Sequence, residues 1–213
     1  MKFFFQSSLL IWVLISVLGC DLINPEEEIP GYVSVESFQV TTTAAQGSAS
    51  SKISEVWVSS GVDFLGAYRF STPFPVLGTG TQTLTLQAGI KDNGIGELPE
   101  IYPFYAPVTV SVDMSANQTQ TIRPVTTYLP ETKFAFVENF EGPQHIFRNV
   151  RTGTPAQAVQ RSTEMPFEGQ ASGVFVLDSV NTVAEVVALP LLADLNTNSP
   201  YVYLEMNYKS DVD

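Results

Sequence analysis

Short runs of β-branched and aromatic residues, separated by glycine, proline, asparagine and serine, recur along most of the chain. Apolar and polar residues alternate within them, as in 81–90, where Leu84 and Leu86 are flanked by Thr83 and Thr85. Successive side chains of a strand point to opposite faces, so the leucines are expected to face a core and the threonines the solvent. No window of the body has the i, i+3, i+4, i+7 apolar spacing of an amphipathic helix. The pattern therefore predicts an all-β fold.

The region 32–130 contains about six to seven predicted strands, with a turn signal roughly every ten residues. Val56 and Val58 are expected on one face of their strand and Trp57 on the other. Proline donates no backbone hydrogen bond, so the Pro-Phe-Pro segment at 73–75 is expected to interrupt the ladder. Size and spacing together predict an antiparallel β-sandwich. The predicted strands are 32–40, 53–58, 64–70, 81–90, 108–112 and 120–128.

The region 131–213 is expected to form a second β-sandwich. Its predicted strands are too few for a closed jelly roll, and the polar segment 144–172 between them is predicted to be a loop. No partner follows the last predicted strand before Asp213, so we expect a partial, jelly-roll-like sandwich. The alternative is a small sheet packed on the first domain. The predicted strands are 134–141, 173–177, 184–189 and 201–208.

The N-terminal segment combines a positive charge at Lys2, an apolar run at 9–15 and a small residue, Gly19, directly before Cys20. This order of charge, apolar run and small residue is typical of a secretory signal. The run is shorter than the roughly 20 residues that a membrane-spanning helix needs, and no Lys or Arg follows it directly. We therefore predict a signal peptide with a helical apolar part over 1–19.

Val17-Leu18-Gly19-Cys20 resembles the lipobox of bacterial lipoproteins, with Leu18 in place of the small residue commonest at its position. The resemblance implies that Cys20, the only cysteine, is acylated and becomes the new N-terminus. Prolines, a glycine and Glu26-Glu27-Glu28 predict an extended acidic tether over 20–31. This acidic run resembles the surface-export signal of Bacteroidetes lipoproteins. That resemblance implies an outer-membrane lipoprotein at the cell surface; a periplasm-facing location is the alternative.

Several segments of the body resemble a group of uncharacterised Bacteroidetes lipoproteins, and the resemblance spans most of the chain. It implies an Ig-like or PEGA-type sandwich over 32–130. It also implies a sandwich similar to carbohydrate-binding or galactose-binding modules over 131–213, and it implies no catalytic residue. The segments are Tyr32-Val33-Ser34-Val35, Glu55-Val56-Trp57-Val58, Pro75-Val76-Leu77, 88–95 and Tyr102-Pro103-Phe104-Tyr105.

Charge and composition exclude several classes of function. The net charge is -12, with 22 acidic and 10 basic residues, whereas nucleic-acid binding requires clustered Lys and Arg. One histidine and one cysteine exclude most Cys/His metal sites and an internal disulfide framework. Gly78-Thr79-Gly80 lacks the lysine and the helix of a phosphate-binding loop. We therefore expect no cofactor, no metal ion and no nucleic-acid partner.

Three aromatic rings and two prolines lie within 101–107. Prolines restrict the backbone, so Tyr102, Phe104 and Tyr105 are candidate ligand-stacking residues for sugar rings or for a protein partner. The alternative is that these rings close one end of the sandwich core.

The second domain contains Glu138, Glu141 and Asp178, whose carboxylates could ligate a structural calcium ion as an alternative to the metal-free expectation. A glycosidase would need two carboxylates about 5 to 10 Å apart across a cleft, and glutamates at strand ends are more often solvated. His145 has no nucleophile motif beside it and is expected in an exposed loop. Lys91-Asp92-Asn93-Gly94 is expected to form a turn.

The sequence thus predicts a lipid-anchored, all-β envelope protein that is not an enzyme. We expect it to act as a binding or adhesion module, with the membrane contacted through the lipid anchor and a glycan or an envelope protein as partner. The alternatives are a structural stalk or assembly component of a surface complex, and the N-terminal part of a longer envelope enzyme.

Overall fold

The computed structural model describes residues 27–92, 99–152, 158–180, 182–188, 192 and 202–211. In these residues the fold is all-β, with a 3-10 turn at Ala44–Gln46. The described part contains no helix long and apolar enough to cross a bilayer. The predicted signal peptide over 1–19, the acylation site Cys20 and the tether as far as Glu26 lie outside the described residues.

The chain divides into two compact units, each built from several segments. The described residues of the first unit are 27–39, 53–92, 99–101 and 107–125. Those of the second unit are 40–52, 102–106 and the described residues from 126 onward. Residues 40–52, 102–106 and 126–130, all within 32–130, therefore belong to the unit that contains the C-terminal residues.

The first unit contains two sheets, one three-stranded and one five-stranded. In the three-stranded sheet the order is β5-β1-β9, and in the five-stranded sheet it is β4-β3-β6-β7, with β8 paired to the other end of β6. The strands are β1 (Gly31–Val35), β3 (Glu55–Ser60), β4 (Asp63–Arg69), β5 (Phe74–Val76), β6 (Gly80–Lys91), β7 (Pro99–Ile101), β8 (Val108–Met114) and β9 (Thr119–Ile122).

The core of the first unit lies between the apolar faces of these sheets. Val33, Val35 and Phe74 come from the three-stranded sheet and are fully buried. Phe74 stacks on Tyr68 of the five-stranded sheet, with ring centroids 4.2 Å apart. The predicted β-sandwich is therefore confirmed for this unit.

The predicted alternation of faces is confirmed in the five-stranded sheet. Leu84 and Leu86 are fully buried, whereas Thr83 is exposed and Thr85, between the two leucines, is half-buried. In the neighbouring strand β3, Val56 and Val58 are buried opposite β6 and β4. The face that points away from the core is consequently the one that bears Trp57 and the threonines.

Three details of the first unit differ from the sequence-based expectation. The predicted strand 32–40 ends at Val35, and Gln39–Thr41 forms a separate strand, β2. The interruption expected at 73–75 is wrong, because Pro75 lies opposite Tyr32 within β5. Strand β5 is at the edge of its sheet, where a residue without an N–H donor is tolerated. Strands β1 and β9 pair in parallel, whereas every pair was expected to be antiparallel.

The second unit contains short two-stranded antiparallel ribbons joined by extended segments. One ribbon pairs β11 with β14 through two register shifts, and another pairs β12 with β13. A further pair joins β2 to β10. The strands are β10 (Val125–Thr127), β11 (Phe147–Thr152), β12 (Gln160–Ser162), β13 (Ser172–Val174) and β14 (Glu185–Ala188).

Several predictions for this unit need correction. Strands β11 and β12 lie inside 144–172, which was predicted to be a loop. Residues 134–141 were predicted to be a strand; they alternate between half-buried and exposed positions but form no strand. The described part of 201–208 likewise contains no strand. Both segments have the apolar alternation of a strand, but neither pairs with another strand in the described residues. Alternation predicts which side chains are buried, and it does not predict which strands pair.

Candidate functional site

The candidate ligand-stacking residues Tyr102, Phe104 and Tyr105 lie in the second unit, on a segment fixed by backbone pairing. Tyr105 forms an antiparallel bridge with Tyr128. The amide of Leu129 donates to the Phe104 carbonyl at 2.8 Å. This pairing holds the three rings at one edge of the unit.

The three rings join an aromatic cluster with Tyr128, Phe134 and Tyr203. Tyr102 lies 4.5 Å from Tyr105 and 5.3 Å from Phe104, measured between ring centroids. Tyr203 contacts Phe104 edge to face at 5.4 Å, and Tyr128 contacts Tyr105 at 4.8 Å. Aromatic pairs at these separations stabilise a core beyond the area they bury.

Tyr102 and Tyr105 are only 5% and 7% exposed, so their faces are covered by protein in this conformation. Phe104 is half-buried and keeps part of its ring at the surface. The geometry corresponds to the alternative in which these rings close a core. Of the three residues, Phe104 alone retains surface that a ligand could contact.

Burial raises the pKa of both tyrosines above the usual value. For Tyr102, desolvation is the largest cause, and the hydrogen bond that its hydroxyl donates to the Glu205 carboxylate adds to it. For Tyr105, desolvation is again the largest cause, followed by the hydrogen bond with Tyr128. Both phenols therefore remain protonated at pH values where exposed tyrosines ionise.

This cluster predicts that the second unit loses stability as the pH rises above the ordinary tyrosine pKa of 10.0. Below that value both tyrosines are protonated in the folded and unfolded states, and their contribution is complete. Above it the unfolded chain releases protons first, so the free energy of unfolding falls by about 1.4 kcal/mol per pH unit for each tyrosine. Urea unfolding measured from about pH 8 to about pH 11 checks this slope.

The double variant Tyr102→Phe/Tyr105→Phe should flatten that pH dependence, because phenylalanine cannot ionise. Tyr208→Phe is the matched control, since Tyr208 is 86% exposed and its loss should leave the slope unchanged. A slope that is equally steep in the double variant would show that other groups cause the alkaline loss.

Glu138 and Glu141, the candidate calcium ligands or catalytic pair, bind backbone amides. Glu138 accepts hydrogen bonds from the amides of Phe140 and Ile146, each at 2.8 Å, through different carboxylate oxygens. Glu141 accepts from the amides of Gln170 at 2.7 Å and Ala171 at 3.3 Å. The two bonds to Glu138 use both of its carboxylate oxygens and close the chain between 138 and 146, whereas both bonds to Glu141 use the same oxygen.

The same loop contains a strained residue, Phe140, whose φ is +57°. Its ring lies over Gly173, where an added Cβ would be 2.4 Å from the Phe140 ring. The Arg161 guanidinium donates to the Phe140 carbonyl at 2.6 Å. Hydrogen bonds and packing together hold this left-handed turn at the end of the 134–141 segment.

The remaining candidates occupy local turns. Asp178 accepts a hydrogen bond from the amide of Val180 at 2.8 Å, which forms an Asx turn. His145 packs beside Phe140 with ring centroids 5.6 Å apart. Within the described residues no three His, Cys, Asp or Glu side chains come together as a metal site. Asn93 and Gly94 of the predicted turn lie outside the described residues.

An aromatic pair, half-buried Trp57 and exposed Phe64, lies in the first unit on the outer face of the five-stranded sheet. Trp57 of β3 and Phe64 of β4 have ring centroids 5.3 Å apart with an interplanar angle of 32°. Phe64 is 60% exposed. A register shift between Val58 and Ser59 places Phe64 opposite Ser59, which brings it to the face that bears Trp57.

Hydroxyl and amide side chains surround this pair on the same face. Trp57 is opposite Gln87, and Ser59 is opposite Thr85. Across the other edge of β6 two more hydroxyl pairs continue the row, Thr85 with Thr109 and Thr83 with Ser111. These central positions carry no charge; Glu55, Arg69 and Asp113 lie at the ends of the face.

Sequence reasoning placed Trp57 on the outer face but did not identify it as a candidate site. The available signal was Phe64, a second large aromatic residue just after a turn and among polar residues. What could not be read from the sequence is the register shift, because it depends on how β3 and β4 pair.

Comparisons with protein-family models, with curated proteins and with solved structures found no match to this chain.

Proposed function

We propose that this chain is a lipid-anchored cell-envelope protein whose β-sandwich body acts as a non-catalytic binding or adhesion module. The observation that supports the binding role most directly is the contact of half-buried Trp57 with exposed Phe64 on a sheet face whose central positions carry no charge. Exposed aromatic rings cost free energy in water, and on a sheet exterior they are typical of a contact surface.

The non-catalytic part of the proposal is supported by the carboxylates of the second unit. Glu138 and Glu141, the pair considered for a glycosidase, are both hydrogen-bonded to backbone amides. A general acid or base must instead reach a substrate proton directly. Their contacts favour a structural role in the loop.

The anchor is supported by the lipobox-like sequence that ends at Cys20. Each methylene buried in the bilayer contributes about 0.8 kcal/mol to binding. One acyl chain therefore binds a protein to the membrane only weakly, whereas two acyl chains anchor it stably. Removal of 1–19 also removes Lys2, so the net charge of -12 becomes -12 - 1 = -13. Anionic headgroups repel such a body, and the proposed acyl chains must supply the attachment.

Palmitate labelling tests the anchor in cells that produce the full chain. The wild type should incorporate label and sediment with the envelope, whereas Cys20→Ala should lose the label completely because no other thiol is present. Leu18→Ala is the matched control; it restores a small residue at that position and should keep the label. Equal labelling of wild type and Cys20→Ala would reject the lipid anchor.

A further inference from the structure

We infer that the outer face of the five-stranded sheet binds a neutral polysaccharide, with Trp57 and Phe64 as the platform on which a sugar ring stacks. This inference extends the proposed binding role by naming the ligand class and the surface. It places the ligand on the first unit and not on the aromatic cluster of Tyr102, Phe104 and Tyr105.

The platform is held in place before any ligand arrives. The Trp57 indole packs against Gly89, where an added Cβ would lie 2.9 Å from Cδ1 and 3.0 Å from Nε1. The indole N–H has no hydrogen-bond acceptor among the described residues. Packing over a glycine, and not a polar contact, therefore fixes the orientation of the ring. A ring that is already fixed loses little entropy when a ligand stacks on it.

The geometry of the face suits a ligand with many hydroxyl groups. Neighbouring strands are about 4.8 Å apart, and side chains on one face of a strand repeat about every 6.8 Å. Ser59, Thr83, Thr85, Thr109 and Ser111 thus form a grid of short donors and acceptors beside the aromatic pair. Hydroxyl side chains both donate and accept, as the hydroxyl groups of a sugar do.

The charge of the face favours a neutral ligand. Its central positions bear hydroxyl and amide groups only, and the whole chain has a net charge of -12. An acidic polysaccharide or a nucleic acid would meet no cation at these central positions and would be repelled by the net negative charge of the body. A protein interface is less well matched, because its centre is usually apolar, and here Trp57 and Phe64 are flanked by hydroxyl groups.

Tryptophan fluorescence provides a site-specific test. The sequence contains two tryptophans, so in the full chain carrying Trp12→Phe the emission comes from Trp57 alone. The probes are cellohexaose, maltohexaose, xylohexaose and mannohexaose, with the acidic oligomer hexagalacturonate for comparison. The protein is kept in a detergent without a sugar headgroup. We expect at least one neutral probe, and not hexagalacturonate, to quench or blue-shift the emission with a Kd of about 1 mM or tighter.

Phe64→Ala should weaken this binding about fivefold or more, because one of the two aromatic rings of the platform is lost. Phe167→Ala is the matched control: Phe167 is 69% exposed but lies in the second unit, and its loss should leave the affinity unchanged. Affinity electrophoresis in gels containing the corresponding polysaccharide gives a second measurement that does not depend on Trp57.

Two results would overturn the inference. In the first, no neutral probe changes the emission and no polysaccharide retards the protein. In the second, a probe binds but Phe64→Ala and Phe167→Ala bind equally well, so that the surface is wrong although the binding role stands. An envelope protein that is retained by the wild type and lost with Phe64→Ala, without any glycan binding, would make the face a protein interface. The lipid anchor is decided separately by the Cys20→Ala labelling.

Discussion

Leu86→Ala is expected to lower the free energy of unfolding of the first unit by about 3 kcal/mol. Leu86 is fully buried and lies opposite Val58 on one side and Val108 on the other, at the centre of the five-stranded sheet. Removing its side chain leaves a cavity between the two sheets that the paired backbone cannot close. Urea unfolding followed by Trp57 emission measures the loss, since Trp57 lies on the adjacent strand.

Thr85→Ala is the matched control for that substitution. Thr85 is next to Leu86 in the same strand but points to the outer face, so its loss should change the free energy of unfolding by about 0.5 kcal/mol or less. If the two variants lost similar stability, the assignment of inner and outer faces would be wrong. In that case the outer face proposed to bind polysaccharide would also be wrong.

The faces of the central strands could be predicted from the sequence because they depend on local alternation alone. Leu84 and Leu86 in β6, and Val56 and Val58 in β3, are buried as the pattern indicated. Each of these strands is covered on one side only, so its apolar residues recur at every second position.

Pairing partners were harder to predict, because they depend on residues far apart in the sequence. Pro75 lies in an edge strand, and its partner Tyr32 is far from it in the sequence. Residues 134–141 alternate like a strand, yet the backbone turns at Phe140. The hydrogen bonds that Glu138 forms with that turn cannot be inferred from composition.

The sequence placed three rings in one short loop and left open whether they contact a ligand or close a core. Tyr102 and Tyr105 are covered by Tyr128 and Tyr203, which are distant in sequence. Phe64 remains exposed because a register shift brings it to the outer face. In the Tyr102 and Tyr105 cluster and at Phe64, the pairing and packing of the folded chain determine whether a ring is buried or exposed.

Glu138→Ala is expected to destabilise the second unit by about 3 kcal/mol, because two charge-assisted hydrogen bonds are lost at once. The amides of Phe140 and Ile146 would lose their acceptor, and the left-handed conformation of Phe140 would lose one of the contacts that hold it. Thermal unfolding monitored by circular dichroism measures the change. Glu164→Ala, which removes an exposed glutamate in the same unit, should have little effect.

The Glu138→Ala variant also distinguishes two roles of this carboxylate, hydrogen bonding that closes the loop and ligation of a calcium ion. If Glu138 acts only through backbone amides, the loss in melting temperature should be the same in EDTA and in millimolar calcium. Glu138→Gln should then retain part of the stability, since its amide oxygen can still accept one of the two hydrogen bonds. A calcium ligand would behave differently: added calcium would stabilise the wild type and not Glu138→Ala, by mass action on the folded state. That result would show that Glu138 is a calcium ligand and would reject a role limited to hydrogen bonds with the loop backbone.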